Sequence, residues 1–418
     1  MNAHLPGVFL LSGTILTDGT VLEDAVLAVV GDRIAYAGPR ANFDPLSLPG
    51  LEEVDLPPGT LLLPGLVDLH CHGAAGGDFP GGDPASARTA VEFLHASGTT
   101  TLLASLVTAP REDLLQAAAA LRVLADEGLI AGIHAEGPFL SHTRCGAQDP
   151  RFLLAPDLDL LRDLAGGSGG HLCTMTYAPE LPGAAELVQS MVDLGVTPSL
   201  GHTDADTQTT ADSLTRAAEL LTSNRPGSTV RPTVTHLFNG MPPLHHRQPG
   251  PVAACLRLAA SGMIAVELVA DGVHLHPDTV RMVFETVGSN NVILVTDSMA
   301  ATGLPDGDYD LGPAGVRVSG GEARLRSNGS LAGGTATLLD VVRRTITSGV
   351  DAADAVLSAT AVPAGILGHQ DEIGSLRAGL RADILAVDGD FRPVRVFRQG
   401  LPLSQAAVSI TAAPTTAS

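Results

Sequence analysis

Lysine is absent from the sequence, and all 24 basic residues of the 418-residue chain are arginine. Without lysine, the protein cannot use Schiff-base catalysis or the phosphate-binding lysine of a P-loop. A carbamylated lysine, which can bridge two metal ions, is excluded for the same reason. Any pair of metal ions in this protein therefore needs a different bridging ligand.

Cysteine is scarce, and long apolar runs are missing. The four cysteines (Cys71, Cys145, Cys173 and Cys255) form no CxxC pair, which favours a reduced compartment. The amino terminus has no basic segment and only a short apolar run at residues 8–11, so we expect no signal peptide. No apolar stretch is long enough to span a bilayer. We therefore expect a cytoplasmic protein.

Positive charge is also in deficit, because the formal net charge is -21. Such an acidic chain is a poor partner for nucleic acids and for anionic membranes, and we expect neither. An anionic small molecule is still compatible with the chain, because individual arginines can bind it locally. Hydrophobic residues make up 44% of the sequence, which is enough for a large core.

From residue 61 onward, apolar strands alternate with helical segments, and this alternation predicts a (β/α)8 TIM-type barrel. Strands are predicted at residues 61–69, 99–107, 129–134, 171–178, 196–200, 233–237, 263–270 and 291–296. Helices are predicted near residues 85–96, 111–127, 157–165, 183–194, 204–222, 250–260, 277–287 and 335–360.

Short strands flank this region on both sides. We predict a small β-sandwich domain built from both chain ends, residues 1–60 and 373–403, beside a barrel domain of residues 61–372. Residues 404–418 are rich in alanine, threonine and serine, and we expect them to form a disordered tail.

Six potential metal ligands stand at the ends of predicted barrel strands. His70 and His72 are two residues apart, so their imidazoles point to the same face of the first strand. Strands three, five, six and eight end in Glu136, His202, His236 and Asp297. Buried imidazoles and carboxylates are unfavourable without partners, so packing alone explains this pattern poorly. The pattern predicts one or two divalent metal ions.

Charge and number suggest how these ligands are shared. His70, His72 and Asp297 can hold one ion, His202 and His236 can hold a second, and Glu136 is the carboxylate placed to bridge them. A metal ion at such a site lowers the pKa of bound water to about 7 and so provides hydroxide. Asp297 is the natural proton shuttle. Imidazole and carboxylate ligands suit zinc, iron and other divalent ions.

The motif at residues 64–72 (PGLVDLHCH) resembles the opening motif of the amidohydrolase superfamily. Five further motifs resemble those of the N-acetylglucosamine-6-phosphate deacetylase family: residues 134–140, 201–203, 235–241, 270–274 and 295–297. The resemblance implies hydrolysis of the acetamide of a 6-phosphorylated amino sugar. It also implies a barrel with a β-sandwich and, usually, a homodimer.

The resemblance assigns roles to individual residues. It implies that Glu136, His202 and His236 bind metal and that Asp297 is the catalytic acid and base. Some members of the family lack the histidine pair of the first strand and use one metal, whereas this chain keeps His70 and His72, so a second ion can bind. The substrate contacts implied are Ala147, Gln148, Asn239, Gly240, Arg247, His274, Leu331, Ala332, Gly333 and Gly334.

Three alternatives stay open at the level of the sequence. A deacetylase of N-acetylgalactosamine 6-phosphate needs the same catalytic residues. Another hydrolase of the superfamily, acting on cyclic amides or by deamination, has little need for Arg247 and Asn239. A non-catalytic barrel protein would be free to lose its ligands, yet all six are present.

Overall fold

The computed structural model describes residues 7–404 of the chain. The expected disordered tail therefore lies outside the described residues, apart from residue 404. The strands are β1 (Val8–Thr17), β2 (Thr20–Val30), β3 (Arg33–Pro39), β4 (Glu52–Glu53), β5 (Leu61–Pro64), β6 (Leu66–Cys71), β7 (Gly73–Ala74), β8 (Gly77–Asp78), β9 (Thr99–Leu106), β10 (Gly132–Glu136), β11 (Leu172–Tyr177), β12 (Thr197–Leu200), β13 (Thr233–Val234), β14 (Ala265–Leu268), β15 (Val292–Leu294), β16 (Gly307–Leu311), β17 (Ala314–Ser319), β18 (Glu322–Leu325), β19 (Ile384–Val387), β20 (Pro393–Arg398) and β21 (Leu401–Pro402).

The helices follow the barrel strands. They are α1 (Pro84–Ala96), α2 (Arg111–Asp126), α3 (Leu158–Gly167), α4 (Ala184–Asp193), α5 (Thr207–Asn224), α6 (Gly250–Ala260), α7 (Pro277–Val287), α8 (Leu338–Thr347), α9 (Ala352–Ser358) and α10 (Ala361–Ile366). Short 3₁₀ turns occupy Arg40–Asn42, Pro45–Ser47, His142–Arg144 and Ser289–Asn291. No helix within residues 7–404 is long and apolar enough to cross a membrane.

Local sequence explains where these helices begin and which face they bury. Asp83, Asp157 and Asp206 precede α1, α3 and α5, and their carboxylates accept hydrogen bonds from the first free N–H groups of each helix. α7 buries an apolar stripe with helical spacing: Val280, Val283, Phe284 and Val287. The helices therefore pack around the barrel with one apolar side inward.

Eight parallel strands form the barrel, in the order β15-β14-β13-β12-β11-β10-β9-β6. The predicted (β/α)8 architecture is confirmed. The first and eighth strands meet through two backbone hydrogen bonds: the N–H of Asp297 donates to the His70 carbonyl at 2.8 Å, and the N–H of His72 donates to the Ser298 carbonyl at 2.6 Å. Barrel closure therefore involves the segments that carry His70, His72 and Asp297.

A buried carboxylate reinforces this closure. The Thr296 hydroxyl donates to Asp68 Oδ2 at 2.7 Å, and the backbone N–H of His70 donates to Asp68 Oδ1 at 3.2 Å. Burial raises the pKa of Asp68 to about 6, although its hydrogen bonds to Thr296 act in the opposite direction. The Asp68–Thr296 pair therefore ties the two strands together in a region with no access to water.

Replacing Thr296 by valine is expected to destabilise the protein by about 1–3 kcal/mol, because Asp68 Oδ2 loses its hydroxyl donor. Thr233→Val is the matched control: Thr233 is equally buried, and its hydroxyl has no partner among residues 7–404. Urea denaturation followed by circular dichroism should show a loss for Thr296→Val and a change within about 0.5 kcal/mol for Thr233→Val. Equal losses in the two variants would contradict the role given to this pair.

A second sheet combines both chain ends, as predicted for the small β domain. Its order is β21-β20-β19-β5-β1-β2-β3, with β4 beside β1. Phe9 from the amino-terminal part stacks on Phe397 from the carboxyl-terminal part, with ring centroids 5.2 Å apart. The eight strands form one continuous hydrogen-bonded sheet.

Two predicted elements were wrong as single units. The strand predicted at 61–69 breaks at Gly65: Leu61–Pro64 pairs with β1 and β19, and Leu66–Cys71 enters the barrel. A side chain on Gly65 would lie 2.1 Å from the Thr100 hydroxyl, so the chain can pass there only as glycine. The helix predicted at 335–360 divides into α8 and α9 near Gly349, whose φ of +99° ends the first helix.

A three-stranded antiparallel sheet, β16-β17-β18, was not predicted. It follows the last barrel strand and precedes α8. Its inner side chains, among them Leu311 and Val316, pack against Val107 and Met299 of the barrel rim. The insertion therefore forms a wall at the carboxyl end of the barrel.

Candidate active site

A cavity of about 260 Å³ opens at the carboxyl ends of the barrel strands. Twelve of the predicted site residues line it: His72, Glu136, Ala147, Gln148, His202, His236, Asn239, Gly240, His274, Asp297, Leu331 and Gly333. Gly146, Leu311 and Ser330 also line the cavity and were not predicted. Leu311 belongs to the insertion that the sequence did not reveal.

The first ligand group consists of His70, His72 and Asp297. The Nε2 atoms of the two histidines lie 3.1 Å apart, and Asp297 Oδ1 lies 3.5 Å from Nε2 of His70 and 3.2 Å from Nε2 of His72. Nδ1 of His72 lies 3.2 Å from the Ser105 carbonyl oxygen. Since a carbonyl can only accept, Nδ1 of His72 carries the proton and Nε2 presents a lone pair to the site.

The second ligand group consists of Glu136, His202 and His236. Glu136 Oε1 lies 2.9 Å from Nε2 of His202 and 2.8 Å from Nε2 of His236, and these two nitrogens are 3.1 Å apart. Nδ1 of His202 donates to the Arg144 carbonyl at 2.8 Å, which again leaves Nε2 as a lone-pair donor. Nδ1 of His236 has no hydrogen-bond partner within the described part of the chain.

Glu136 connects the two groups. Its Oε1 atom faces the second group, while its Oε2 atom lies 3.3 Å from Nε2 of His72 and 3.6 Å from Nε2 of His70. Gln148 Nε2 donates to Oε2 at 2.7 Å, and Gln148 Oε1 accepts from the Thr108 N–H at 2.7 Å. Gln148 therefore fixes the orientation of a carboxylate that has one oxygen directed at each group.

This donor set fits divalent cations. In each group, two imidazole Nε2 atoms face one another together with a carboxylate oxygen, and the contacts of His72 and His202 through Nδ1 leave their Nε2 atoms as lone-pair donors. Such an arrangement is repulsive unless a cation lies between the donors, and imidazole with carboxylate is a common ligand set for divalent transition metals. The atoms within each group lie within 4.8 Å of one another, which is compatible with a single shared ion.

Three of the six ligand residues have backbone conformations that are rare for residues other than glycine. His202, His236 and Asp297 have φ angles of +46°, +27° and +48°. Each follows the end of its barrel strand, where the turn directs the side chain toward the cavity. Left-handed conformations of this kind cost about 1–3 kcal/mol each and are frequent at functional sites.

The charges of the cluster are strongly coupled. Burial alone would raise the pKa of Glu136 and Asp297, but the surrounding imidazoles outweigh it and hold both pKa values below their usual range. Burial would lower the pKa of His70, yet Glu136 and Asp297 raise it well above its usual value. The two carboxylates are therefore ionised and demand positive charge beside them.

Two glycines and a main-chain carbonyl hold the His202 ring. A side chain on Gly240 would lie 2.8 Å from His202 Nδ1, and one on Gly146 would lie 3.4 Å from its Cε1 atom. The Arg144 carbonyl fixes the ring plane through Nδ1. Position 240 therefore requires glycine, because a larger residue would displace the His202 ring.

His274 lies beside Oδ2 of Asp297, the carboxylate oxygen that does not face His70 and His72. Its Nε2 atom lies 3.9 Å from Asp297 Oδ2, and its Nδ1 atom lies 2.9 Å from Asp271 Oδ2. Burial would lower the pKa of His274, but the hydrogen bond to Asp271 raises it. Arg344 in turn donates to the Asp271 carbonyl.

His134 supports the ligands from below. Its two ring nitrogens contact the Ser105 and Thr176 hydroxyls at 3.0 and 2.8 Å, and its ring meets that of His70 edge to face at 4.6 Å. Burial lowers the pKa of His134 well below its usual value, so the ring is neutral. With both nitrogens engaged, His134 is not directed at either ligand group.

Four predicted residues do not line the cavity. His70 lies beneath it, fully buried. Ala332 packs in the core of the insertion, and Gly334 lies against the Thr296 carbonyl, where a side chain would approach to 2.4 Å. Arg247 is exposed on the loop between β13 and α6. The structure therefore gives Ala332 and Gly334 a packing position and leaves Arg247 exposed, outside the lining of the cavity.

Two buried carboxylates beside the ligands were missed. Asp68 and Glu267 contact His70, and both stand in strands that are otherwise almost entirely apolar. A single acidic residue in such a strand was the signal available in the sequence.

The chain is similar to known proteins over most of its length. The amidohydrolase family model matches residues 61–412. The chain is 32% identical to the N-acetylglucosamine-6-phosphate deacetylase of Bacillus subtilis, covering 92% of this chain and 94% of the relative. It is 31% identical to an N-acetylgalactosamine-6-phosphate deacetylase of Escherichia coli O157:H7, covering 81% and 87%.

A solved structure agrees with these relatives. A mutant N-acetyl-D-glucosamine-6-phosphate deacetylase from Mycobacterium smegmatis, in complex with N-acetyl-D-glucosamine-6-phosphate, superposes with a TM-score of 0.85 at 34% identity. The match covers 95% of this chain and 100% of that structure. With a family model matching most of the sequence, the chain belongs to the amidohydrolase family.

Proposed function

We propose that the protein hydrolyses the acetamide of N-acetyl-D-glucosamine 6-phosphate to D-glucosamine 6-phosphate and acetate. The observation that carries the proposal is the sharing of Glu136 between two buried ligand groups, with Asp297 beside them in one cavity. The two N-acetylglucosamine-6-phosphate deacetylases described above support this choice of substrate. The corresponding role is in amino-sugar catabolism and cell-wall sugar recycling.

The cofactor we propose is one or two divalent metal ions, with zinc or iron the best candidates. Glu136, His202 and His236 would hold one ion, and His70, His72 and Asp297 would hold the other. A divalent cation supplies acidified water and polarises a carbonyl oxygen. Asp297 then has the central role among the side chains: its carboxylate takes the proton of the attacking water and passes it to the leaving amine nitrogen.

The remaining cavity residues would orient the amino sugar. Asn239 and Gly240 lie three and four residues after His236 and line the same cavity, so they are placed to contact the sugar while the acetamide faces the metal ligands. Ala147, Leu311 and Leu331 add apolar surface to the cavity. The acetyl methyl is the apolar end of this substrate, and these three side chains are suited to enclose it.

Arg247 is the proposed contact of the phosphate group. It is exposed on the loop that begins just after Gly240, and no ion pair involves it within residues 7–404. A free guanidinium at the rim can bind a phosphate that projects from the cavity. Its position outside the cavity lining fits a substrate whose charged end points outward.

Replacing Arg247 by glutamine is expected to raise KM for N-acetylglucosamine 6-phosphate by about 10- to 100-fold, because charge-assisted hydrogen bonds are lost. Arg257→Gln is the matched control, since Arg257 is an exposed arginine on the helix that follows the same loop. Steady-state kinetics on both variants test the assignment. An unchanged KM in Arg247→Gln would remove Arg247 from phosphate binding.

N-acetylgalactosamine 6-phosphate is the second candidate substrate, and a relative that acts on it favours including it. The two sugars differ only at C4. The experiment is acetate release from both epimers and from unphosphorylated N-acetylglucosamine, with protein of known metal content. We expect kcat/KM to be highest for N-acetylglucosamine 6-phosphate and at least about 100-fold lower without the phosphate. A preference for the galactose epimer would replace the proposed substrate.

The location and assembly of the enzyme are also proposals. We propose that it acts in the cytoplasm. All four cysteines lie within residues 7–404 and are free, and free cysteines are typical of reducing compartments. We propose that it is a homodimer, as the family resemblance implies. Light scattering coupled to size-exclusion chromatography measures the mass directly, and a monomeric mass would refute the dimer.

A further inference from the structure

Glu267 is a buried carboxylate for which the proposed reaction has no direct use. It lies in β14, a strand that supplies none of the six proposed metal ligands, and it is 2% exposed. Its strand neighbours are alanine, valine and leucine. A buried carboxylate in such surroundings is unfavourable unless partners compensate it.

The partners of Glu267 belong to both ligand groups. Its Oε2 atom lies 3.3 Å from Nδ1 of His70 and 3.2 Å from the backbone N–H of His236, and both act as donors to it. The contact with His70 is made by the imidazole itself. The contact with His236 is made by the main chain, so it does not depend on the tautomer of that ring.

This contact distinguishes His70 from the other ligand histidines. Nδ1 of His72 and of His202 donates to a neutral carbonyl, and Nδ1 of His236 has no partner in the described part of the chain. Among the four histidines of the two ligand groups, only His70 donates through Nδ1 to a carboxylate. A carboxylate at this position fixes the tautomer, keeps Nε2 free as a ligand and makes that nitrogen more basic.

We infer that Glu267 is a positioning residue that promotes binding of a second cation between His70, His72 and Asp297. This inference rests on the proposed metal-dependent function. Through its hydrogen bond with Nδ1, Glu267 keeps Nε2 of His70 directed at His72 and Asp297 as a lone-pair donor. A cation between these three side chains would bind that lone pair and offset the negative charge that Glu267 and Asp297 add there. The position held by His202 and His236 depends on Glu267 only through a backbone contact.

The test compares Glu267→Gln with Asp68→Asn. Both substitutions remove one buried negative charge beside His70 and keep an oxygen acceptor. Glu267 contacts the His70 imidazole, whereas Asp68 contacts only its backbone N–H. Zn²⁺ is titrated into metal-free protein against a chromophoric chelator, and the bound zinc is counted by mass spectrometry after gel filtration.

We expect two zinc ions per wild-type chain. In Glu267→Gln, the weaker class of site should lose about 10- to 100-fold in affinity while the tighter class stays within threefold. Asp68→Asn should leave both classes within threefold. The inference is wrong if Glu267→Gln binds zinc at both classes of site with the affinities of the wild-type chain. It is also wrong if the wild-type chain binds only one zinc ion.

A second variant guards against misfolding. Glu267→Asp keeps the charge but shortens the side chain by one methylene, and it should also weaken the second class selectively. If Glu267→Gln does not fold, the Glu267→Asp chain decides. Unchanged zinc binding in a folded Glu267→Asp chain would overturn the positioning role. Acetate release is measured in parallel: a wild-type chain that binds two zinc ions and releases no acetate refutes the proposed function and leaves the inference on Glu267 standing.

Discussion

Replacing Asp297 by asparagine is expected to lower kcat for acetate release by at least about 10³-fold, or about 4 kcal/mol of transition-state stabilisation. Asparagine has almost the same shape but cannot take a proton from water or deliver one to the amine. Although burial would raise the pKa of Asp297, neighbouring imidazoles hold it below its usual range, so the carboxylate is in the ionised form that a general base requires.

Binding should survive this substitution. Glu136, His202 and His236 do not involve Asp297, so at least one metal ion should stay bound, and KM should change by less than about tenfold. Asp310→Asn is the control, because Asp310 is exposed on β16 next to the cavity residue Leu311. Full activity of Asp297→Asn would remove Asp297 from the proton transfer.

Replacing Glu136 by glutamine is expected to affect both metal positions. Each carboxylate oxygen faces a different ligand group, at 2.8–2.9 Å from one pair of histidines and 3.3–3.6 Å from the other. Removing the shared charge should weaken metal binding more than the roughly 100-fold loss that follows removal of an outer hydrogen bond to a ligand. Acetate release should fall by at least about 10³-fold.

Thermal stability provides an independent measurement of this prediction. At a metal concentration about 100 times Kd, bound metal stabilises a protein by about 2.7 kcal/mol per site. Added zinc should therefore raise the Tm of wild-type protein and have little effect on Glu136→Gln. Glu180→Gln is the control, since Glu180 accepts from Thr203 and Asp204 at the same rim and is not a ligand. A wild-type response in Glu136→Gln would contradict the bridging position.

The barrel was predictable because its strands and helices follow a simple periodic pattern. The convergence of the six candidate ligands was predictable because parallel strands bring their carboxyl ends together, so polar residues at those ends meet even when they are far apart in sequence. His72 and Asp297, for example, are separated by more than 200 residues, yet their side chains lie 3.2 Å apart. Periodicity and strand polarity carry this information without knowledge of any contact.

Other features depended on contacts that a single sequence does not show. The need for glycine at position 65, where the predicted strand breaks, comes from the close approach of Thr100 in a neighbouring strand. The insertion β16-β17-β18 is made of short strands with exposed outer faces, so its alternation of buried residues is brief. Glu267 was missed because its function depends on His70, almost 200 positions away.

Acetate release as a function of bound metal tests the proposed metal-dependent hydrolysis most directly. Metal-free protein is reconstituted with increasing equivalents of zinc or iron, and acetate release from N-acetylglucosamine 6-phosphate is measured at each step. We expect no release without metal and a rate that rises with bound metal until the positions beside Glu136 are filled. Acetate release by the metal-free chain at the rate of the loaded enzyme would contradict it.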